Sequence, residues 1–171
     1  RLVIDMEGKV EVKPLEISKT TLFELEHNLL LFYTNISRNS TDVLIEQKTK
    51  AINEKPKMNQ MIEISKIGEK MIDALMDSDL KEYGRLLNIH WETKKSLTSK
   101  MSSTIIDHYY EIGLKNGALG GKIVGAGGGG FLLFYIDHGK NKLRSEMKKA
   151  GLNELLFRFE FEGSKLLYDG R

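Results

Sequence analysis

The chain has 171 residues, 40% of them apolar and 29% charged, with a formal net charge of +2 and no cysteine. That length suits one domain able to bury a real core. The missing Cys excludes disulfide scaffolds, thiol catalysis, Cys-bound zinc and iron–sulfur sites, and the near-balanced charge excludes a nucleic-acid binder working by bulk charge. No apolar run approaches the roughly 18 residues a membrane span needs, and no basic-then-apolar leader opens the sequence. The expectation is a cytoplasmic protein without nucleic-acid or membrane partners.

Residues 2–6 and 9–15 read as a hairpin that turns at Glu7-Gly8. Ser18 or Thr20 can cap a short helix through Glu26. The apolar run Asn28–Thr34 has the length of a buried strand. Ser40 can cap a helix to about Asn53, which Pro56 ends, and a second helix keeps 3–4 spacing over Lys57–Asp77. Asp79 can cap a third, with Leu80, Tyr83, Leu87, Trp91 and Lys94 along one face. Ser102 or Ser103 can start a fourth that stops by Gly117. The period then changes. Leu119–Val124 and Phe131–Ile136 read as strands, Lys140–Ala150 as a helix closed by Gly151, and Leu155–Phe161 as a half-buried strand by its alternation. Lys165–Tyr168 reads as a last short strand. The fold class is α+β, a mostly antiparallel sheet covered by about five helices.

Nine of the 16 glycines fall within residues 113–130, and six residues there read Gly125-Ala126-Gly127-Gly128-Gly129-Gly130. Such a run costs conformational entropy to order, so it needs a reason. Freed backbone N–H groups can form an anion nest, or the backbone can approach another segment more closely than a Cβ allows. The P-loop pattern fails for want of Lys-Ser or Lys-Thr. G-x-G-x-x-G matches literally at 125, 127 and 130, but a strand follows where that motif needs a helix. The lysine strand, H-R-D and D-F-G segments of a protein kinase are absent. The residues alone leave a phosphate loop and a purely structural hairpin both open.

Other candidates carry two readings each. Ser37-Arg38-Asn39-Ser40 follows a strand; Arg38 can grip a phosphate bidentately or lie exposed in a loop. Trp91, Lys94 and Lys95 share a broad helix face, either a sugar-phosphate pocket or core and solvated surface. Lys122 points into a cleft or into solvent. The histidines at 27, 90, 108 and 138 lack metal spacing, and Asp73, Asp77 and Asp79 lack the rest of a calcium loop.

The segment Gly120–Leu132 (GGKIVGAGGGGFL) resembles the third conserved motif of the GHMP kinases, which include galactokinase, homoserine kinase and mevalonate kinase. Leu29–Ser40 (LLLFYTNISRNS), Gly84–Ser99 (GRLLNIHWETKKSLTS) and Gly117–Phe134 resemble the D-glycero-D-manno-heptose 7-phosphate kinase branch. The resemblance runs from about Lys9 to Leu133. It implies the C-terminal half of such a kinase, because the family's phosphate loop and catalytic carboxylate have no counterpart in these residues. The opening Arg1-Leu2-Val3-Ile4 suggests a piece cut from a longer protein. Residues 1–15 would be the last hairpin of the N-terminal kinase domain and 16–171 the C-terminal domain.

The implied reaction transfers the ATP γ-phosphoryl group to the anomeric hydroxyl of a heptose 7-phosphate. ATP and Mg²⁺ would be held mainly by the N-terminal domain of the same enzyme. The resemblance assigns Gly125, Ala126, Gly127, Gly128, Gly129, Gly130 and Lys122 to the nucleotide side. It assigns Ser37, Arg38, Trp91 and Lys95 to the sugar phosphate. It implies no catalytic residue and no metal ligand in this chain, and no turnover by the chain alone. Another acceptor such as fucose, or a non-catalytic binding or regulatory module, are the alternative expectations.

Overall fold

The computed structural model describes residues 1–5, 7–37, 40–98, 100–125 and 127–164. Two strands, β1 (Leu2–Ile4) and β2 (Val10–Val12), form a separate antiparallel hairpin with Leu2 opposite Val12 and Ile4 opposite Val10. Gly8 makes its turn at φ +83°, a conformation that only glycine adopts without strain. The apolar side chains of Leu2, Ile4, Val10 and Val12 are all exposed.

Helix α1 (Lys19–Asn28) starts at Ser18, whose hydroxyl accepts from the Thr21 N–H, and runs straight into β3 (Leu29–Tyr33). Helices α2 (Ser40–Asn53), α3 (Lys55–Met76), α4 (Leu80–Lys95) and α5 (Thr104–Lys115) follow. Pro56 does not stop α2. It sits in the first turn of α3, where a missing N–H costs nothing and φ is already helical. Asp79 and Ser103 cap α4 and α5 by accepting from Glu82 and Ile106 N–H groups. Then come β4 (Gly120–Val124), β5 (Phe131–Tyr135), α6 (Lys140–Lys149) and β6 (Asn153–Leu155). The described residues thus hold six helices, each where the sequence pattern places one.

The sheet has the order β4-β5-β3-β6, antiparallel throughout. Strand β6 stops at Leu155, opposite Leu31, so the alternation of 155–161 does not continue the sheet. Instead Phe157 and Phe159 fold over α1 and β5, and the Phe159 N–H donates to the Glu26 carboxylate. Apolar alternation there reflects packing of an extended tail rather than strand pairing. The expected strand at Lys165–Tyr168 lies outside the described residues.

One sheet face (Leu30, Phe32, Ile123, Leu132, Phe134) packs against Ile106 and Tyr110 of α5 and Leu143 and Met147 of α6. The other (Leu29, Leu133, Tyr135) meets Leu25 of α1 and Leu80 and Leu87 of α4. Helix α4 lies directly on β4. A Cβ at Gly120 would strike the Gly84 carbonyl and lie 2.6 Å from the Asn88 nitrogen. This pair of glycines therefore brings helix and strand backbones into contact and fixes where the end of α4 falls relative to the glycine loop. No helix among the described residues is long and apolar enough to cross a membrane.

Candidate functional site

The glycine run links β4 to β5. Gly125, Gly127, Gly128 and Gly130 all have positive φ, at +103°, +108°, +76° and +89°. Side-chain-bearing residues avoid that region, so the loop's path dictates its composition. Gly129 is required for a different reason: a Cβ there would sit 2.5 Å from the Ile36 carbonyl oxygen. The close backbone approach that the sequence left open thus holds at Gly129, while positive φ accounts for four other glycines of the loop.

Two neighbouring segments brace the loop. The Gly128 N–H donates to the Met101 carbonyl (2.8 Å) and the Gly130 N–H to the Ile36 carbonyl (2.8 Å). The buried Thr34 returns its own N–H (2.9 Å) and hydroxyl (2.8 Å) to the Gly130 carbonyl. Among the described residues, the N–H groups of Gly127 and Gly129 find no acceptor. The result is a rigid turn with donors to spare, the raw material of an anion site. Ser37 is exposed beside it, one residue past Ile36. Arg38 and Ala126 lie outside the described residues.

Helix α4 presents opposite sides to two different surroundings. Trp91 is fully buried in the main core, near the Tyr110 ring. It has no surface to offer a ligand. Lys95 follows it toward α5, where its Nζ pairs with Glu92 (2.9 Å) and Asp107 (3.4 Å) and lies 5.7 Å from the centre of the Tyr110 ring. Tyr110 locks this side further: its hydroxyl donates to Asn88 Oδ1 (2.6 Å) and accepts the Gly121 N–H (3.2 Å). Lys94 diverges from Lys95 by about 100° around the helix and reaches to 3.5 Å from the Gly125 carbonyl oxygen. The three residues expected to share one face are thus split between a closed core and the glycine loop.

On the side of α4 that carries His90, α3, α4 and the sheet form an open cavity of about 400 Å³. Gly68, Met71, Leu87, His90, Lys122 and Leu133 line it. Burial pushes the Lys122 ammonium below its usual pKa, and the charge of Lys94 adds to the effect; burial alone lowers Lys94. Burial, then Lys122 and Lys94, push His90 down to about 4, so the ring is neutral at pH 7. Its Nδ1 is buried without a hydrogen-bond partner. His90 escaped the sequence reading as a site residue, whereas Lys94 shares the broad face singled out with Trp91 and Lys95. The signal was the 83–87–90–94 stripe, but nothing in the spacing says that α3 leaves space over it. No group of three His, Asp or Glu among the described residues could hold a metal ion.

The family model "GHMP kinases C terminal" matches residues 71–153, which span α4, α5 and the glycine loop. The chain is 33% identical over 92% of its length to the D-glycero-alpha-D-manno-heptose 7-phosphate kinase of Campylobacter jejuni, covering 46% of that protein. It is 32% identical over 60% of its length to the L-fucokinase/L-fucose-1-P guanylyltransferase of Bacteroides fragilis, covering 11% of it. The crystal structure of L. major mevalonate kinase with R-mevalonate superposes with a TM-score of 0.70 at 19% identity, over 84% of this chain and 43% of that one. The chain therefore spans about half the length of the heptose phosphate kinase and of the mevalonate kinase. It belongs to the GHMP kinase family, as the family's C-terminal domain.

Proposed function

We propose that the chain is the C-terminal half of an ATP-dependent sugar kinase that phosphorylates the anomeric hydroxyl of a heptose 7-phosphate. The observation that carries this reading is the braced glycine turn, with two unused N–H donors, set beside Lys94 and Lys122, which pair with no carboxylate among the described residues. Such a surface suits polyanions and suits phosphoryl transfer, in which positioning and charge neutralisation supply most of the acceleration. The likeness to the Campylobacter heptose 7-phosphate kinase supports the substrate class.

In this reading 16–171 is the C-terminal domain, and the hairpin of residues 1–15 belongs to the N-terminal kinase domain, which would cover its exposed apolar face. Gly125–Gly130 lines the nucleotide cleft and steadies the phosphate loop of the other half. The free N–H groups of Gly127 and Gly129 fit an ATP phosphate. Ser37 and Arg38 flank the acceptor. Trp91 and Lys95 position α4 from behind, through the core and Asp107. The described residues do not fit Mg²⁺, so it would be held by the N-terminal half. ATP supplies the phosphoryl group; this chain orients its phosphates and excludes water.

Kinetics on the full-length protein test the reading. ATP-dependent phosphorylation of a heptose 7-phosphate is expected, with none from the 171-residue chain alone. Turnover by the chain alone, or a full-length enzyme inert toward every sugar phosphate, overturns it. The fucokinase relative motivates a second acceptor for the same assay, fucose, whose exclusive use would move the substrate assignment.

A further inference from the structure

We infer that the cavity between α3, α4 and β4 is the subsite for the phosphate group that the acceptor already carries, held by Lys122 and His90 of its lining, with Lys94 beside it at the Gly125 carbonyl. Placing that phosphate on the acceptor rests on the sugar-kinase reading above; the anion site itself does not.

Lys94 and Lys122 are partly buried, both charges act on His90, and neither pairs with a carboxylate within 4 Å among the described residues. Taking cations out of water and setting two side by side is unfavourable for the isolated chain. Elsewhere this protein pairs half-buried charges: Lys95 has Asp107, Arg144 has Glu154, Lys50 has Glu46. Lys94 and Lys122 have no such partner among the described residues; Lys57 and Lys140 also lack one, but Lys57 donates to the Ser96 carbonyl and Lys140 lies beside Asp137. An incoming anion would supply the missing partner at Lys122, which lines the cavity.

The cavity also looks held open. Gly68 lies mid-way along α3, where glycine is less favourable than alanine. A Cβ there would meet nothing within 4 Å, so packing in this chain does not require the glycine. What Gly68 does provide is room on the cavity wall.

Size and charge choose among phosphates. Two lysines match the near-dianionic charge of one phosphomonoester at pH 7. A triphosphate carries more charge than the pair can balance. About 400 Å³ suits one sugar-sized body with its phosphate, not base, ribose and three phosphates together. The neutral His90, with Nδ1 free, can hydrogen-bond a phosphate oxygen or accept from a phosphate hydroxyl. Lys122 thereby moves from the nucleotide side to the acceptor side, and Lys94 joins it in the role first sought for Lys95.

The 171-residue chain can be titrated with mannose 6-phosphate, free mannose, inorganic phosphate and ATP, following the ring resonances of His90, assigned with His90→Gln. Mannose 6-phosphate should shift His90 saturably and raise its pKa, because the anion offsets both lysines. Free mannose should do nothing. Lys94→Gln and Lys122→Gln should each weaken binding at least tenfold, while Lys115→Gln, an exposed partner of Glu111, leaves it unchanged. Gly68→Leu should abolish binding in a chain that keeps its circular-dichroism spectrum. The inference falls if no phosphate gives a saturable shift, if both lysine variants bind as the parent does, or if ATP occupies the site and mannose 6-phosphate does not. Saturable binding of the phosphosugar by the chain, with a full-length enzyme that phosphorylates no sugar phosphate, would leave the subsite standing and remove the kinase reading.

Discussion

Lys94 and Lys95 are neighbours in sequence and opposites in circumstance. Lys95 ends among Glu92, Asp107 and the Tyr110 ring, on the side of α4 that also buries Trp91. Lys94 ends at a loop carbonyl, on the side of α4 where His90 and Lys122 line a cavity. One side of the helix is closed by the chain's own packing and ion pairs, although the buried Trp91 Nε1 has no hydrogen-bond partner. The other contains unfavourable features that folding alone does not explain. That contrast separates residues kept for architecture from residues kept for a ligand, and mutation should separate them too.

The largest effect belongs to the closed side. Trp91→Ala removes a fully buried side chain from the main core and should cost about 3–5 kcal/mol. Urea denaturation measures it. A loss under about 1 kcal/mol would mean that this side is not the architectural one. Next comes the loop. Gly128→Val puts a branched residue at φ +76° and disturbs the N–H donated to Met101. In the full-length enzyme kcat/KM should fall on the order of 100-fold, as for loss of a preorganised donor, with the protein still folded. Unchanged kinetics would strip the loop of its role.

A smaller effect tests the open side by pH. His90 is held neutral, its pKa lowered from 6.5 to about 4. Between those values the unfolded chain binds the proton more readily than the folded one. The stability that the neutral ring contributes is therefore complete above about pH 6.5 and is lost as the pH falls to about 4. Solvent reaches part of this ring, so about 1 kcal/mol is expected rather than the full value of the shift. The stability difference between the parent chain and His90→Gln should follow this curve, because titrating carboxylates cancel in the difference. A pH-independent difference would show a ring that protonates normally.

Much of this architecture could be read from local chemistry. Ser18, Asp79 and Ser103 cap helices because their side chains reach N–H groups three residues on, a relation contained within a few residues. The glycine loop announced itself through composition, and the antiparallel pair around it through a change of period. Pro56 misled because proline ends one helix and opens another with equal ease, and Asn53 and Lys55 leave one residue between the two. Residues 155–161 misled because alternation marks any extended segment with one buried side, paired or not. The site was less legible than the fold. Whether Trp91 meets a sugar or a core depends on α5, which lies further along the chain. Whether His90 looks into a cavity depends on Gly68 and Lys122, which lie 22 residues before it and 32 after.

The smallest predicted effect is also the sharpest, because it has a sign. Lys95→Gln removes one end of a half-exposed ion pair and should lower stability by about 0.5 kcal/mol. Lys94→Gln removes a cation that burial disfavours and that lies beside Lys122, while a neutral amide can still face the Gly125 carbonyl. It should raise stability by a similar amount. Ligand sites trade stability for readiness in this way: charge is held where the empty protein would be better without it. Paired urea melts of the two variants at pH 7 and low salt resolve the difference. High salt should shrink it, since screening weakens both the ion pair and the repulsion. If both substitutions destabilise by the same amount, Lys94 has a partner of its own, and the two sides of α4 are built alike.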